Sequence, residues 1–449
     1  MSMKMTKENN THSILIRNIN WVSHQQNQVT NGYVIIENGT FSKLGEGEPT
    51  PQELDRVKQV KWGKGKWLIP GFVNTHTHTG MNLQRGYSDQ LPLQQWLQQK
   101  MWPFEANLDR EAVAAARGLA MVEMIKSGTT TFLEMYHLFM DDFAEDIINS
   151  GMRASLMRAM IGLCSREEQD AKLKEATHFA KTWHKEANGR IHTMMAPHAP
   201  YTCPPDFIER IVEVANDLSI PVHMHLAETL KETEDHIHTY GLHPIQHLEE
   251  LQLLNEVDWL FAHAVHLKEK HIEIIQNAQS NISISHNPIS NLKLGSGIAP
   301  IKMMLEKGIP ITLGTDSVAS NNTLDMVEEM RVAALIHKGI NQNPMLMDEI
   351  TTFNMATING YRALQFEQVK GIVEGSEADF LLINQNEAHL QPSIQIFSHL
   401  VFALNSHDIT DVYVQGKALM ENRELLTLDK EKIIQEANAH FHRLEGLLK

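Results

Sequence analysis

His76 and His78 stand two apart at the end of an apolar run, in Pro70-Gly-Phe-Val-Asn-Thr-His-Thr-His78. On a strand, alternate residues point to one face, so the two imidazoles would converge. Two convergent imidazoles are half of a divalent-metal site. The His-x-His spacing alone is weak, because it recurs at His223/His225, His236/His238 and His440/His442. The last pair falls in a helical stretch, where such residues diverge, and His236/His238 lie in a very polar stretch. Both pairs are expected to be solvated. Other polar residues also close apolar runs: His198, His225 followed by Glu228, His263, and Asp316 in Gly314-Thr-Asp-Ser317. Any one of them alone reads as a hydrogen-bonded structural residue. Their joint placement at successive strand ends reads as a site. His223 competes with His225, since both face the same way. His225 is preferred, being nearer the strand end and close to Glu228.

The elements that must position these residues follow from periodicity. Eight apolar runs read as strands: Leu68–Thr75, Thr129–Glu134, Arg153–Met160, Ile191–Pro197, Ile220–His225, Asp258–His263, Asn281–His286 and Ile309–Asp316. Helix-length stretches such as Arg110–Lys126, Glu167–Lys185, Pro205–Leu218 and Pro300–Lys307 separate them. Alternating strands and helices imply an α/β fold with a parallel sheet and right-handed crossovers. Eight such units in about 250 residues are the arithmetic of a (β/α)8 TIM-type barrel, whose C-terminal mouth gathers residues from several strand ends. Helices over Leu324–Lys338 and Asp348–Leu364 close the segment.

Both chain ends read as β structure. Ser13–Val22 alternates apolar and polar residues, and Gly32–Glu37 and Thr40–Gly45 flank Asn38-Gly39, a type I′ hairpin signal. Gly371–Asn384 and Asp411–Leu419 read as strands, and Lys430–Lys449 as a helix. Each β segment is too small for its own core, so the two are expected to pair. The expected division is a smaller composite, sandwich-like β domain from 1–67 and 366–425, a catalytic barrel over 68–365, and a C-terminal helix over 426–449.

Composition narrows the function. The chain has 449 residues, 55 acidic against 39 Lys+Arg, and a formal net charge of −16. Such a surface repels phosphate backbones, so no nucleic acid partner is expected. The same charge argues against a barrel metallonuclease, which would also use His-x-His. Hydrophobic residues make up 42%, which excludes disorder and leaves ample core. The first twelve residues are polar, without a signal-peptide core, and no run of about 18 apolar residues occurs. A cytoplasmic protein without a membrane partner is expected; homo-oligomerisation stays open. Cys164 and Cys203 are the only cysteines, too few for a disulfide framework or a Cys-based zinc site. The 25 histidines fit either compositional drift or a histidine-rich metal site, and only position can separate the two.

The sequence resembles the amidohydrolase superfamily and, within it, the deaminases of 5′-methylthioadenosine and S-adenosylhomocysteine. The carriers are Pro70–His78, Trp96 through Pro103-Phe-Glu105, Ala196–Pro204, Val222–Thr229, Ala262–Leu267, HNPISNLKLGSG over His286–Gly297 and GTDSVASNN over Gly314–Asn322. The resemblance spans nearly the whole chain. It implies that His76, His78, His225 and Asp316 hold one divalent metal ion, zinc by expectation, with water at the open position. Binuclear relatives carry a carboxylated lysine at a strand end; no lysine ends the third or fourth strand here, so one ion is expected.

The implied reaction is hydrolytic deamination of adenine in a purine nucleoside. Asp316 is expected to take a proton from water, Glu228 to protonate ring N1, and His263 to stabilise the oxygen added at C6. His198 would contact the purine or ribose, and Arg158 the substrate beyond the base. Arg153 could take that part instead, or simply pair on the surface. Glu105 either favours the helix from Leu108 as a first-turn carboxylate or accepts both ribose hydroxyls, and the second reading is adopted. His266 and His286 are expected to be structural. Two alternatives remain: a deaminase of guanine or another heterocycle, or a triazine hydrolase, built on the same ligands; and a catalytically silent scaffold. A silent scaffold would be expected to lose ligands or the proton shuttle, yet His76, His78, His225, Glu228, His263 and Asp316 are all present.

Overall fold

The structure is a computed structural model that describes residues 13–23 and 28–448. The polar stretch 1–12, residues 24–27 of the expected β domain, and Lys449 at the end of the expected helix lie outside the described residues.

The two chain ends meet in one nine-stranded sheet. Ser13–Ser23 pairs antiparallel with Gln28–Glu37, which turns into Thr40–Glu46 through Asn38 and Gly39 at φ +51° and +82°. Those are the two left-handed residues that a type I′ turn needs. From the other end, Phe380–Asn384 lies antiparallel on Lys66–Pro70, which itself adjoins Ser13–Ser23. Trp21, Phe41, Phe380 and Tyr413 fill a core on this sheet, with the Phe380 and Tyr413 rings stacked at 4.4 Å.

All the strands of the central segment run parallel. One sheet holds Phe72–Thr77, Thr129–Tyr136, Arg153–Met160 and a broken strand, Ile191–Thr193 with Ala196–Pro197. The other holds Val222–Leu226, Trp259–His263, Ile282–His286 and Ile311–Leu313. At one seam Met195 bridges Val222 in parallel, and His225 N–H donates to His198 O at 3.1 Å. At the other, Asp316 N–H donates to His76 O at 2.9 Å and Thr75 Oγ1 to Leu313 O at 2.9 Å. These strands are almost wholly buried, as parallel strands covered by crossover helices must be. Gly314 sits where a Cβ would come within 2.8 Å of His76 Cβ and closer to Ser285 Oγ, so only glycine lets the last strand approach the first.

Several expectations need correction. The run Leu68–Thr75 is two strands, Lys66–Pro70 in the large sheet and Phe72–Thr77 in the parallel one. The switch falls at Gly71, where a Cβ would strike the Thr130 side chain at 2.1 Å. Within 371–384 only Phe380–Asn384 is strand. The expected strand Asp411–Leu419 is a hairpin, Ile409–Val414 and Lys417–Glu421, turning at Gln415 and Gly416 with φ +47° and +67°. The helix over 348–364 breaks into Glu349–Met355 and Ile358–Ala363 at Thr357, whose φ/ψ of −134°/−96° is not helical. The terminal helix, Lys430–Leu448, packs Ala437 and Leu444 with Ala112 and Ala116 of the helix Arg110–Lys126.

Candidate active site

Because the strands are parallel, their carboxyl ends share one side, and the singled-out residues collect there. His76 Nε2 and His78 Nε2 lie 3.5 and 3.2 Å from Asp316 Oδ1, and His225 Nε2 lies 3.3 Å from His78 Nε2. Each imidazole spends its other nitrogen elsewhere. His78 Nδ1 meets Met135 O at 2.7 Å and His225 Nδ1 meets His198 O at 2.7 Å, so both nitrogens donate to carbonyls. His223 Nδ1 likewise donates to Leu260 O at 2.8 Å, which leaves its Nε2 to accept from His76 Nδ1 at 2.8 Å. The three Nε2 lone pairs therefore face one another beside a carboxylate. Such an arrangement repels itself unless a cation, or a proton shared with Asp316, sits between.

The His76 Nε2 is the clearest sign: it is fully buried and has no hydrogen-bond partner. A metal ion fits this donor set of imidazoles and one carboxylate. Burial pushes the His76 pKa down to about 3 and His225 well below the usual histidine range, which keeps them neutral as ligands must be. Burial also works to lower His78, but the Asp316 carboxylate overrides it and raises that ring. Burial likewise works to raise Asp316, and contacts from His76 and His78 hold it well below the carboxylate range. Among the described residues, both groups able to hold an ion include His76, so they describe one centre.

The neighbours of Asp316 and Glu228 explain how each is aimed. Asp316 adopts φ +63°, and its Oδ2 accepts from Ser290 Oγ at 2.6 Å and Ser320 Oγ at 3.0 Å. His263 also has positive φ, +73°, and its Nδ1 donates to Asn291 Oδ1 at 2.8 Å. Strained backbone at two strand ends is concentrated where the polar groups converge. Glu228 is set by the capping box of the next helix, Leu230–Tyr240. Thr229 caps it, and the buried Glu232 carboxylate reaches back to the N–H groups of Ala227 and Glu228 at 3.0 and 2.8 Å. Burial, and then Glu228 beside it, push Glu232 up to about 7. Burial also raises Glu228, which stands 3.8 Å from His263 Nε2.

Beyond the histidines opens a cavity of about 320 Å³, lined by His78, His198, His225, Glu228, His263 and Asp316 together with Trp96, Glu105, Tyr136 and Arg158. That volume suits a small organic ligand. Glu105 ends the short helix Trp102–Glu105 and accepts a 2.6 Å bond from Tyr136 OH. It does not cap the following helix, which starts at Arg110 with Asp109 as its N-cap. Burial raises Glu105 against the pull of Tyr136 and His78. His198 sits with Nδ1 2.9 Å from Thr202 Oγ1, and burial pushes it down to about 3.

Two further expectations need correction. Arg153 is neither at the cavity nor on the surface: it is fully buried, with Nε 2.8 Å from Asp379 and an amino nitrogen 2.6 Å from Glu377. His236 is not solvated; it is buried with Nε2 3.1 Å from His247 Nδ1, whereas His238 is exposed. His286 pairs with the buried His337 at 3.0 Å, and His266 Nε2 donates to Ser296 O at 2.8 Å. The sequence reading missed His223 as the partner of His76, Tyr136 as the partner of Glu105, and Ser290, Ser320 and Asn291 as supports. Ser290 and Asn291 lie within HNPISNLKLGSG and Ser320 within GTDSVASNN, so those stretches carried the signal.

A model of the amidohydrolase family matches residues 67–419. The chain belongs to the amidohydrolase family. Members are metal-dependent hydrolases, and the converging donors of this chain fit a metal ion. The chain is 55% identical over 437 residues, covering 97% of it and 99% of the relative, to a 5-methylthioadenosine/S-adenosylhomocysteine deaminase of Halalkalibacterium halodurans. It is 56% identical over 414 residues to the protein of that name from Shouchella clausii, covering 92% of this chain and 95% of the relative. Among solved structures it is similar to a zinc-bound adenosine deaminase from Xanthomonas campestris, with a TM-score of 0.89 and 32% identity over 97% of this chain and 99% of the other.

Proposed function

We propose that this protein is a hydrolytic deaminase that converts the adenine ring of 5′-methylthioadenosine and S-adenosylhomocysteine to the inosine derivative, releasing ammonia. The observation that carries the reading is the approach of His76 and His78 Nε2 to Asp316, with His225 Nε2 against His78 Nε2, beside the cavity that also holds Glu228 and Glu105. The names of its relatives at 55–56% identity agree with it. His76, His78, His225 and Asp316 would hold one ion, zinc by the chemistry of the donors. When bound, a divalent cation lowers the pKa of water at its open position.

The chain's own residues do the rest. Asp316 takes the proton of the attacking water, held in orientation by Ser290 and Ser320. Glu228, whose burial favours the protonated form, gives a proton to ring N1 as oxygen adds at C6. His263 donates to that oxygen from Nε2 when both ring nitrogens carry protons, with Nδ1–H held by Asn291 Oδ1. The proton taken by Asp316 then passes to the amino nitrogen, the C6–N bond breaks to release ammonia, and the added hydroxyl returns its proton to Glu228 as the carbonyl forms. Glu105 accepts the ribose hydroxyls, His198 borders the purine or ribose, and Arg158 meets the tail.

For the architecture, we infer that the two parallel sheets form one (β/α)8 barrel over 68–365, closed by the seams at Met195/Val222 and His76/Asp316. The nine-stranded sheet from 1–67 and 366–425 is then a smaller β domain, followed by the helix of 426–449. No helix among the described residues is long and apolar enough to cross a membrane, and a cytoplasmic location suits this substrate.

Ammonia release from a panel of adenosine, both thioethers, free guanine and a triazine tests the reading. The two thioethers should be turned over best. Guanine or a triazine outpacing every nucleoside would overturn it.

A further inference from the structure

S-adenosylhomocysteine and methylthioadenosine differ only beyond the sulfur, where one carries an α-amino acid and the other a methyl group. The cavity wall that must meet this difference carries Arg158, Lys172 and Glu175, amid apolar side chains such as Met160 and Ile161. Arg158 comes from the third parallel strand, in register with Tyr136, the hydroxyl partner of Glu105. The cation thus lies on the strand next to Tyr136, beside the proposed ribose subsite. Lys172 and Glu175 come from one face of the helix Arg166–Trp183. Lys172 is committed, with Nζ 2.8 Å from Ile161 O and 3.5 Å from Cys164 Sγ. Arg158 and Glu175 are joined by a single contact of 2.6 Å, with side chains 26% and 59% exposed.

We propose that Arg158 and Glu175 act together as a reader of the zwitterionic tail, Glu175 accepting the α-ammonium while Arg158 takes the α-carboxylate. The proposal rests on the substrate reading above and adds Glu175 as a specificity-determining residue. An arginine alone would bring the ammonium of the tail up against a cation. The Arg158–Glu175 pair instead offers both signs side by side, matching a group that carries both. The pair also explains how one cavity takes both tails. With a methylthio group the two side chains satisfy each other, and no charge is stranded. With an amino acid tail, an ion pair this exposed costs little to open, and both partners regain a charged hydrogen bond.

The test compares S-adenosylhomocysteine with the analogue that has hydrogen in place of the α-amino group, using metal-loaded enzyme and methylthioadenosine as the internal reference. In Glu175→Gln, the ratio of kcat/KM for S-adenosylhomocysteine to that for the deamino analogue should fall about tenfold, as expected for loss of a charge-assisted bond. Glu175→Lys should lower the ratio further, by setting a second cation against the ammonium. Arg158→Met should lower both acid-tailed substrates together relative to methylthioadenosine. Equal losses for the two acid tails in Glu175→Gln would overturn the proposal, leaving Glu175 only as an aligner of Arg158. A wild-type enzyme that turns over none of these nucleosides would overturn the substrate reading itself, and the proposal with it.

Discussion

His76 Nδ1 donates to His223 Nε2 across 2.8 Å, and His223 passes the bond on to the backbone carbonyl of Leu260. The carbonyl can only accept, so it sets the tautomer of both rings and leaves the His76 Nε2 lone pair facing Asp316. On the proposed reading His223 and His225, two apart on one strand, do different work: one supports the donor set and the other belongs to it.

Substitution should separate them. His225→Ala removes a donor and should leave the purified protein without stoichiometric metal. His223→Ala removes only a supporting bond, for which a loss of about 10–100-fold in metal affinity is typical. Competition with a chelator, read by elemental analysis, measures both. If His223→Ala empties the site while His225→Ala keeps it, the assignment of the two histidines is reversed.

Glu228→Gln should leave metal content intact and suppress kcat, because an amide cannot supply the N1 proton. General acid–base catalysis typically contributes about 10²–10⁴-fold, so a loss of less than tenfold would remove Glu228 from that role. The neighbouring Glu232 makes the comparison sharper. Glu232→Gln keeps an acceptor for the Ala227 and Glu228 N–H groups and should cost far less than Glu228→Gln.

What the sequence showed and what it hid divide along a physical line. Polar residues closing apolar runs, as at His76, His225, His263 and Asp316, break a local pattern and are visible in a single sequence. Their supports are not, because they come from distant segments: Glu134 accepts from Thr79 N–H at 2.8 Å and Thr77 Oγ1 at 2.9 Å, bracketing His78 from another strand. The break at Gly71 was hidden because apolar residues flank it on both sides, Leu68 and Ile69 before it and Phe72 and Val73 after it. His236 misled for the opposite reason. Its neighbours are polar, but the helix turns it inward beside Thr233, onto His247 of the helix Pro244–Glu250.

The histidines outside the site give a pH prediction. Burial pushes His192, His236 and His337 down to about 4 and His243 to about 3, against an ordinary value of 6.5. Between pH 4 and 6.5 the unfolded chain therefore binds protons that the folded chain refuses, so stability rises with pH across that window and is lost as pH falls. Each such proton is worth about 1.4 kcal/mol per pH unit, reduced where solvent screens a partly exposed ring. Glu232 and Asp146, pushed up to about 7 and about 6 by burial, take up protons in the folded state over the same window and act with the opposite sign, so the rings are read by difference. With chelator-treated protein, His236→Gln should make the change in Tm from pH 7 to pH 5 less destabilising than in the parent chain; an identical change in the two would show that His236 accepts its proton in the folded state.

On the proposed reading, Glu105 decides between a nucleoside and a free base. Its Oε1 already accepts from Tyr136 OH at 2.6 Å, which anchors the carboxylate and leaves Oε2 to meet a ligand in the cavity. A ribose diol supplies hydroxyl donors; a dideoxyribose or a free base supplies none, and the carboxylate would then be desolvated without compensation. The loss expected for a charged hydrogen bond is about 1.5–3 kcal/mol, or about 10–150-fold in kcat/KM. Methylthioadenosine should therefore exceed its 2′,3′-dideoxy analogue by that factor. Glu105→Ala should bring the two substrates close together while metal stays bound, because Glu105 is not among the donors. Tyr136→Phe loses only the anchor and should narrow the gap without closing it. If the gap persists in Glu105→Ala, the diol is read by another group and the ribose assignment of Glu105 falls.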